Sequence, residues 1–156
     1  MLSLDIPAEV NAAEWIVDRN VVEGRRDRTA IYFEGDTWTF GDFQALVNRT
    51  GNVLRELGVE TENRVGLLML DTPEYLAAFM GAVKIGAVPI CLNTLLGPGA
   101  HEYMLNDSRA KAVIAHEEVL GNLLRVRPNL RYLRHVVVLG RAPRGADHVR
   151  GHASDS

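Results

Sequence analysis

The side chains in this sequence that could do chemistry are scattered and complete none of the common catalytic motifs. His101 and His116 each open a His-Glu pair like that of the H-E-x-x-H zinc motif, but Leu105 and Leu120 stand where the second histidine is required. No G-x-S-x-G segment is present, so a hydrolase nucleophile is not expected. Both histidines are interpreted as solvated or capping residues, and no metal ligand is assigned.

Segments that cradle phosphates are also missing. There is neither a G-x-x-x-x-G-K-[ST] loop nor a G-x-G-x-x-G after a predicted strand. Gly97-Pro98-Gly99 resembles such a loop only superficially, because proline removes an N–H donor that a phosphate cradle needs. We therefore predict an ordinary loop there. No catalytic residue is assigned, and the residues that would bind a cofactor are unknown from the sequence.

Cys91 is the single cysteine, so an internal disulfide and a cysteine-based zinc cluster are both excluded. It lies in an apolar run, which predicts that it packs in the core as a small hydrophobic residue. Residues 1–10 lack the basic and apolar regions of a signal peptide, and no apolar stretch is long enough to cross a bilayer. These features predict a cytoplasmic protein.

Composition is that of a folded domain. The 156 residues are 47% hydrophobic and 24% charged, with a formal net charge of −3. This charge balance gives no reason to expect nucleic acid as a partner.

The first third of the chain predicts a helix, a hairpin and a second helix. Asn11 and Glu14 have the spacing of a capping box for a helix that runs toward Gly24. Two β-prone runs, residues 30–34 and 37–40, flank Gly35-Asp36 and predict a hairpin turn there. The second helix is capped by Thr39 with Asp42 and ends at Gly58.

From residue 64 onward, short apolar runs alternate with helical segments. The predicted strands are residues 65–70, 88–92, 111–115 and 135–139. The predicted helices are one from Thr72-Pro73 to Gly86, a short one over 101–106, and one over 117–127. For the first of these the expected buried stripe is Leu76, Phe79, Met80 and Val83. The alternation predicts an α/β fold with a wound, mainly parallel sheet and flanking helices, and Pro89 places its strand at an edge or its start.

Ligands of open parallel sheets bind beyond the carboxyl ends of the strands. That rule places five residues near any crevice: Asp71, Thr72, Asn93, His116 and Gly140. Asp71 and Thr72 are interpreted as helix-capping residues because Pro73 follows them. Asn93 and His116 have no assigned role.

Taken in order, several segments resemble the opening of the adenylate-forming acyl-CoA ligases. They are Thr37-Trp38-Thr39-Phe40-Gly41-Asp42-Phe43, Val47-Asn48-Arg49, Leu54-Arg55-Glu56-Leu57-Gly58-Val59, Arg64-Val65, Thr72-Pro73-Glu74-Tyr75 and Val83-Lys84-Ile85-Gly86-Ala87-Val88-Pro89. Three further segments are most similar to the benzoate-CoA ligase branch: Asn11-Ala12-Ala13-Glu14, Leu92-Asn93-Thr94-Leu95-Leu96 and Asp107-Ser108-Arg109-Ala110-Lys111. The similarity runs from about residue 11 to 139.

The resemblance implies a parent reaction in two steps. A carboxylate, such as benzoate, attacks ATP to give an acyl-adenylate and pyrophosphate, and the thiol of coenzyme A then displaces AMP, with magnesium assisting the first step. In that family the chemistry depends on a Ser/Thr/Gly-rich loop ending in Pro-Lys-Gly, a later acidic motif and a lysine of a small C-terminal domain, and none of the three occurs here. The resemblance therefore implies that residues 1–140 are a partial N-terminal domain, inactive alone and without its own cofactor. Residues 141–156, rich in Gly, Arg, His and Ser, are expected to be a disordered tail.

Two alternatives to a bare ligase fragment stay open. The chain is either a non-catalytic α/β module that binds a small ligand or a partner, or one piece of a ligase whose remainder is encoded separately and docks on it. Strand edges and faces that a complete ligase covers would be exposed in this chain, which predicts self-association.

Overall fold

The structure is a computed structural model that describes residues 7–140. Its strands are β1 Thr29–Phe33, β2 Asp36–Thr39, β3 Arg64–Leu68, β4 Val88–Cys91, β5 Ala112–His116 and β6 His135–Leu139. Its α-helices are α1 Phe40–Glu56, α2 Pro73–Lys84, α3 Pro98–Asp107 and α4 Leu120–Val126. Short 3-10 segments, Glu117–Val119 and Arg127–Asn129, flank α4. The predicted tail, 141–156, lies outside the described residues.

The four strands β4, β3, β5 and β6 form one parallel sheet in that order, which confirms the predicted wound α/β architecture. Strand β4 lies at the sheet edge, where Pro89 does not interrupt an interior ladder. Strands β1 and β2 form a separate antiparallel hairpin that leads into α1.

Side chains alternate between the two faces of the sheet and build two cores. Val65 and Leu67 of β3 lie in the core under α1 and α2, while Leu68 lies in the core under α3 and α4. Gly66 faces the second core, where a Cβ would stand 2.9 Å from Leu105 Cδ2. Its lack of a side chain lets α3 approach the sheet.

The buried stripe of α2 differs from the prediction. Leu76 is exposed and Phe79, Met80 and Val83 are half-buried, whereas the buried positions are Pro73, Ala77, Ala78, Gly81 and Ala82. The reason is the close approach of α1: a Cβ on Gly81 would lie 3.0 Å from the carbonyl oxygen of Val47 and 3.1 Å from the nitrogen of Gly51. Two backbones so near leave room only for small residues between them.

The predicted first helix is also different. It contains π-helical segments, Glu14–Asp18 and Val21–Arg25, with a left-handed Gly24 (φ 80°) inside the second. The Asn11–Glu14 capping box is wrong, because Asn11 Oδ1 accepts from the N–H of Ala13. Its Nδ2 donates to the carbonyls of Val83 and Lys84, so Asn11 caps the carboxyl end of α2 across the fold.

Of the three signals predicted around α1, the hairpin turn is shifted by one residue, while the N-cap and the helix stop are confirmed. The hairpin exists, but its turn residues are Glu34-Gly35, with φ of 50° and 93°, rather than Gly35-Asp36. Two positive φ values match the twist of the strands that they join. The Thr39–Asp42 capping box is confirmed in both directions, and α1 ends before Gly58 at φ 74°.

Candidate functional site

A cleft of about 330 Å³ lies beyond the carboxyl ends of β3 and β4. Of the residues predicted for a crevice, Asp71 and Asn93 line it, and Tyr75 and Cys91 stand with them. The parallel strands end together at this edge, which is why residues twenty apart in sequence meet. Tyr75 and Cys91 were missed by sequence reasoning.

Cys91 is exposed, so its predicted place in the core is wrong. It is the last residue of β4, and within residues 7–140 no strand pairs with the outer side of β4. Tyr75 and Cys91 line the same cleft, and burial, followed by the interaction with the Cys91 side chain, raises the pKa of Tyr75 to about 12. The phenol is therefore protonated at neutral pH and serves as a hydrogen-bonding group in the cleft.

Thr72 caps α2 as predicted, its Oγ1 accepting from the N–H of Tyr75 at 3.4 Å. Asn93 has a structural role that the sequence did not disclose. Its Oδ1 accepts from the N–H of Leu95, which shapes the loop that leads to α3. These bonds orient the cleft wall rather than supply a reactive group.

His101 is completely buried, which corrects its interpretation as a solvated residue. Gly97 is the N-cap of α3 and Pro98 its first residue, so Gly97-Pro98-Gly99 is a helix start instead of a plain loop. The first turn of α3 brings His101 Nε2 within 2.9 Å of the Asn93 carbonyl oxygen. A carbonyl oxygen only accepts, so the imidazole donates this bond from Nε2.

His116 and Gly140 lie away from the cleft lining. His116 Nδ1 accepts from the N–H of Leu70 at 2.9 Å and so ties the end of β5 to the chain beyond β3. Gly140 has φ 115°, and a Cβ there would meet the Glu117 side chain at 3.0 Å. Both residues have structural roles at the sheet edge.

The cleft by itself does not fit a nucleotide phosphate or its metal. Asp71 contributes negative charge, and no lysine or arginine lines the cleft. Across residues 7–140, no group of three or more His, Cys, Asp or Glu side chains could hold a metal ion. What the cleft offers is a hydrogen-bonding wall of Tyr75, Cys91 and Asn93.

A second concavity, the apolar groove, lies where α1 and α2 meet the far side of the sheet. It has a volume of about 110 Å³ and is floored by Ile114, Val137 and Leu139, with Arg49 and Glu74 in its walls. Ile114 and Val137 are buried on this floor, while Leu139 at the end of β6 is half-buried. Among the described helices, none has the length and apolar character required of a membrane span.

Comparison with known proteins agrees with this architecture. Residues 18–155 match the AMP-binding enzyme family. A 4-hydroxybenzoate–CoA/benzoate–CoA ligase of Rhodopseudomonas palustris is 38% identical over 86% of this chain and 25% of its own length. A benzoate–CoA ligase of Thauera aromatica is 36% identical over 90% of this chain and 27% of its own.

Solved structures give the same result. An anthranilate CoA ligase in complex with anthranoyl-AMP superposes with a TM-score of 0.82 at 40% identity, over 86% of this chain and 26% of that one. A benzoate CoA ligase from Burkholderia xenovorans superposes with a TM-score of 0.77 at 34% identity, over 85% of this chain and 26% of that one. The chain thus spans about a quarter of the length of the relatives it matches. On this evidence the chain belongs to the AMP-binding enzyme family of adenylate-forming ligases.

Proposed function

We propose that this chain forms the N-terminal scaffold of an aromatic-acid CoA ligase. The parent reaction converts an aromatic carboxylate, ATP and coenzyme A into the acyl-CoA, AMP and pyrophosphate through an acyl-adenylate. The observation that carries the proposal is the similarity to benzoate and hydroxybenzoate ligases, at 36–38% identity over most of the chain. Relatives that act on aromatic acids share both its sequence and its fold.

The scaffold supplies no complete reaction by itself. A cleft that has an aspartate and no cation cannot neutralise the charge that develops on a triphosphate. ATP, magnesium and coenzyme A are therefore ligands of the parent enzyme, and the chain alone is proposed to be inactive. A cytoplasmic location is proposed for this chain, whose single cysteine cannot form an internal disulfide.

We propose that the rest of the ligase packs against the apolar groove. Its floor belongs to β5 and β6, and β6 is the outer strand of the sheet within the described residues. The relatives are about four times as long as their match to this chain, so most of their structure must pack against surfaces like this one. Arg49 and Glu74 at the rim are suited to polar contacts around that apolar centre.

A chimera tests the proposal directly. Residues 11–139 would replace the matched segment of the Thauera aromatica benzoate–CoA ligase, and benzoyl-CoA formation would be measured. We expect the chimera to fold and to retain ligase activity. A chimera that is folded by circular dichroism, binds ATP and forms no benzoyl-adenylate would refute the proposal.

The unmodified chain provides the complementary measurement. Incubated with ATP, benzoate and labelled pyrophosphate, it should show no exchange, and robust exchange would contradict its inactivity. Light scattering shows whether the groove drives self-association. Leu139→Asp should shift any oligomer toward monomer, because Leu139 is only half-buried and the new carboxylate puts a charge in the groove.

A further inference from the structure

The opposite edge of the sheet carries a row of positive charges. Arg64 opens β3, Lys111 precedes β5, and Arg134 precedes β6. The strands are neighbours in one parallel register: the N–H of Lys111 donates to the carbonyl of Arg64 at 2.9 Å, and that of Arg134 to the carbonyl of Lys111 at 2.8 Å. Residues in register are backbone neighbours, so Arg64, Lys111 and Arg134 follow one another across three adjacent strands at a strand spacing of about 4.8 Å.

These side chains line one cleft of about 220 Å³ together with Arg109, Asn63 and Tyr132. Among the described residues, no acidic side chain lines this cleft. The ion pairs among residues 7–140 join Asp18 or Glu23 to other cations and leave the cleft uncompensated. Like charges placed opposite one another on neighbouring strands destabilise a sheet, so the row calls for an explanation beyond folding.

Structural bonds account for only part of the cluster. Arg64 Nε donates to the Ser108 carbonyl and Lys111 Nζ to the Gly58 carbonyl, each at 2.6 Å. Arg64 Nη1 also donates to the Glu62 carbonyl at 3.0 Å. These bonds hold both side chains in place, and neither cation faces an acidic partner in them. Arg134 is exposed, and its guanidinium has no hydrogen bond among the described residues. The Arg134 side chain therefore caps no helix among the described residues.

Arg109 adds a fourth charge in an unusual backbone conformation. Its φ of 56° lies in the left-handed region just after α3, where glycine is the usual residue. The guanidinium stands 5.8 Å from the centroid of the Tyr132 ring, which holds it over the cleft. The cluster therefore combines anchored cations, one free cation and an aromatic wall.

We propose that this basic cleft, formed by Arg64, Arg109, Lys111 and Arg134, binds a phosphate-type oxyanion carrying at least two negative charges. Guanidinium forks and an ammonium group are the donors that such oxyanions prefer. The site lies at the amino-terminal edge of the sheet, opposite the Tyr75–Cys91 cleft, and does not depend on the proposed ligase function.

Isothermal titration of the 156-residue chain with sodium pyrophosphate tests the site. Inorganic phosphate and AMP are run beside it, all against sodium chloride at equal ionic strength. We expect saturable binding of one anion per chain. Arg134→Gln should weaken it about tenfold, the effect of losing one charge-assisted hydrogen bond. Arg125→Gln, which removes an exposed arginine from α4, is the matched control and should bind as the parent does.

The three anions also separate the possible sources. Binding of AMP together with pyrophosphate indicates that a phosphate ester is accepted, whereas binding of the inorganic anions alone indicates a free oxyanion, and both outcomes support the site. Absence of saturable binding by all three to the folded chain overturns the proposal. Equal weakening by Arg134→Gln and Arg125→Gln does so too, because it reveals a general charge effect.

Discussion

Replacing Gly81 by alanine tests the close crossing of α1 and α2. The new Cβ would lie 3.0 Å from the Val47 carbonyl oxygen, 3.0 Å from Thr50 Cβ and 3.1 Å from the Gly51 nitrogen. Two of these three atoms belong to the backbone of α1, so a rotamer change cannot relieve the contact. The helices must move apart or the contact must stay strained.

Two effects of opposite sign decide the outcome. Alanine in a helix interior is favoured over glycine by about 1 kcal/mol. Overpacking at a tight contact costs about 1–3 kcal/mol. Gly81→Ala is therefore expected to be neutral or to lose up to about 2 kcal/mol in the free energy of unfolding, although helix propensity alone predicts a gain.

Gly121→Ala supplies the matched control. Gly121 lies in α4, and a Cβ there would meet no atom within 4 Å. Because both variants gain helix propensity, the difference between them isolates the contact cost of about 1–3 kcal/mol. For a chain of this size, each kcal/mol moves the melting temperature by about 2–4 °C. If Gly81→Ala melts at or above Gly121→Ala in calorimetry, the close crossing is refuted.

The remaining predictions concern the caps and the carboxyl-end cleft. Thr39→Ala should lower the unfolding free energy by about 1 kcal/mol in urea at pH 7. Hydrogen bonds from Thr39 lower the pKa of Asp42, so the contribution of this carboxylate is complete above its ordinary pKa of 3.8 and is lost as the pH falls through the lowered value. The parent's urea midpoint should therefore fall more steeply in acid than that of Asp42→Asn, and parallel curves would contradict this reasoning. Asn11→Asp replaces the amide donor that faces the carbonyls of Val83 and Lys84 and should lower the free energy of unfolding by about 1–3 kcal/mol. An unchanged urea midpoint would show that this cap contributes nothing. In a spectrophotometric titration of the tyrosines, Tyr75 should ionise near pH 12. Tyr75→Phe should therefore remove the absorbance change near pH 12. If Tyr75→Phe instead removes a change at lower pH, the burial of Tyr75 is contradicted.

Local signals in the sequence predicted the elements that depend on near neighbours. The Thr39–Asp42 box, Pro73 at the start of α2 and the stop at Gly58 each need only a few adjacent residues. The apolar runs of β3 and β5 likewise predicted strands, and both strands are almost entirely buried. These features fix the order of elements and therefore the α/β class.

Features that depend on distant partners were predicted poorly. Leu76 looked like a core residue by periodicity, yet α1 approaches so closely that small residues take the buried face of α2. His101 looked solvated by its polar neighbours in sequence, while its actual neighbour is the Asn93 carbonyl. Cys91 looked buried, and its position on the sheet edge exposes it.

The sequence alone shows that no common catalytic motif is complete, because such motifs are patterns of residue type and spacing. The family likeness likewise followed from short segments in fixed order. The tertiary structure decided which side chains meet. The parallel register of β3, β5 and β6 makes Arg64, Lys111 and Arg134 neighbours. Because β3 and β4 end at the same edge of the sheet, Tyr75 lies near Cys91. Which strands pair, and in which order, depends on contacts between segments far apart in the chain, so the pattern within one strand does not determine it.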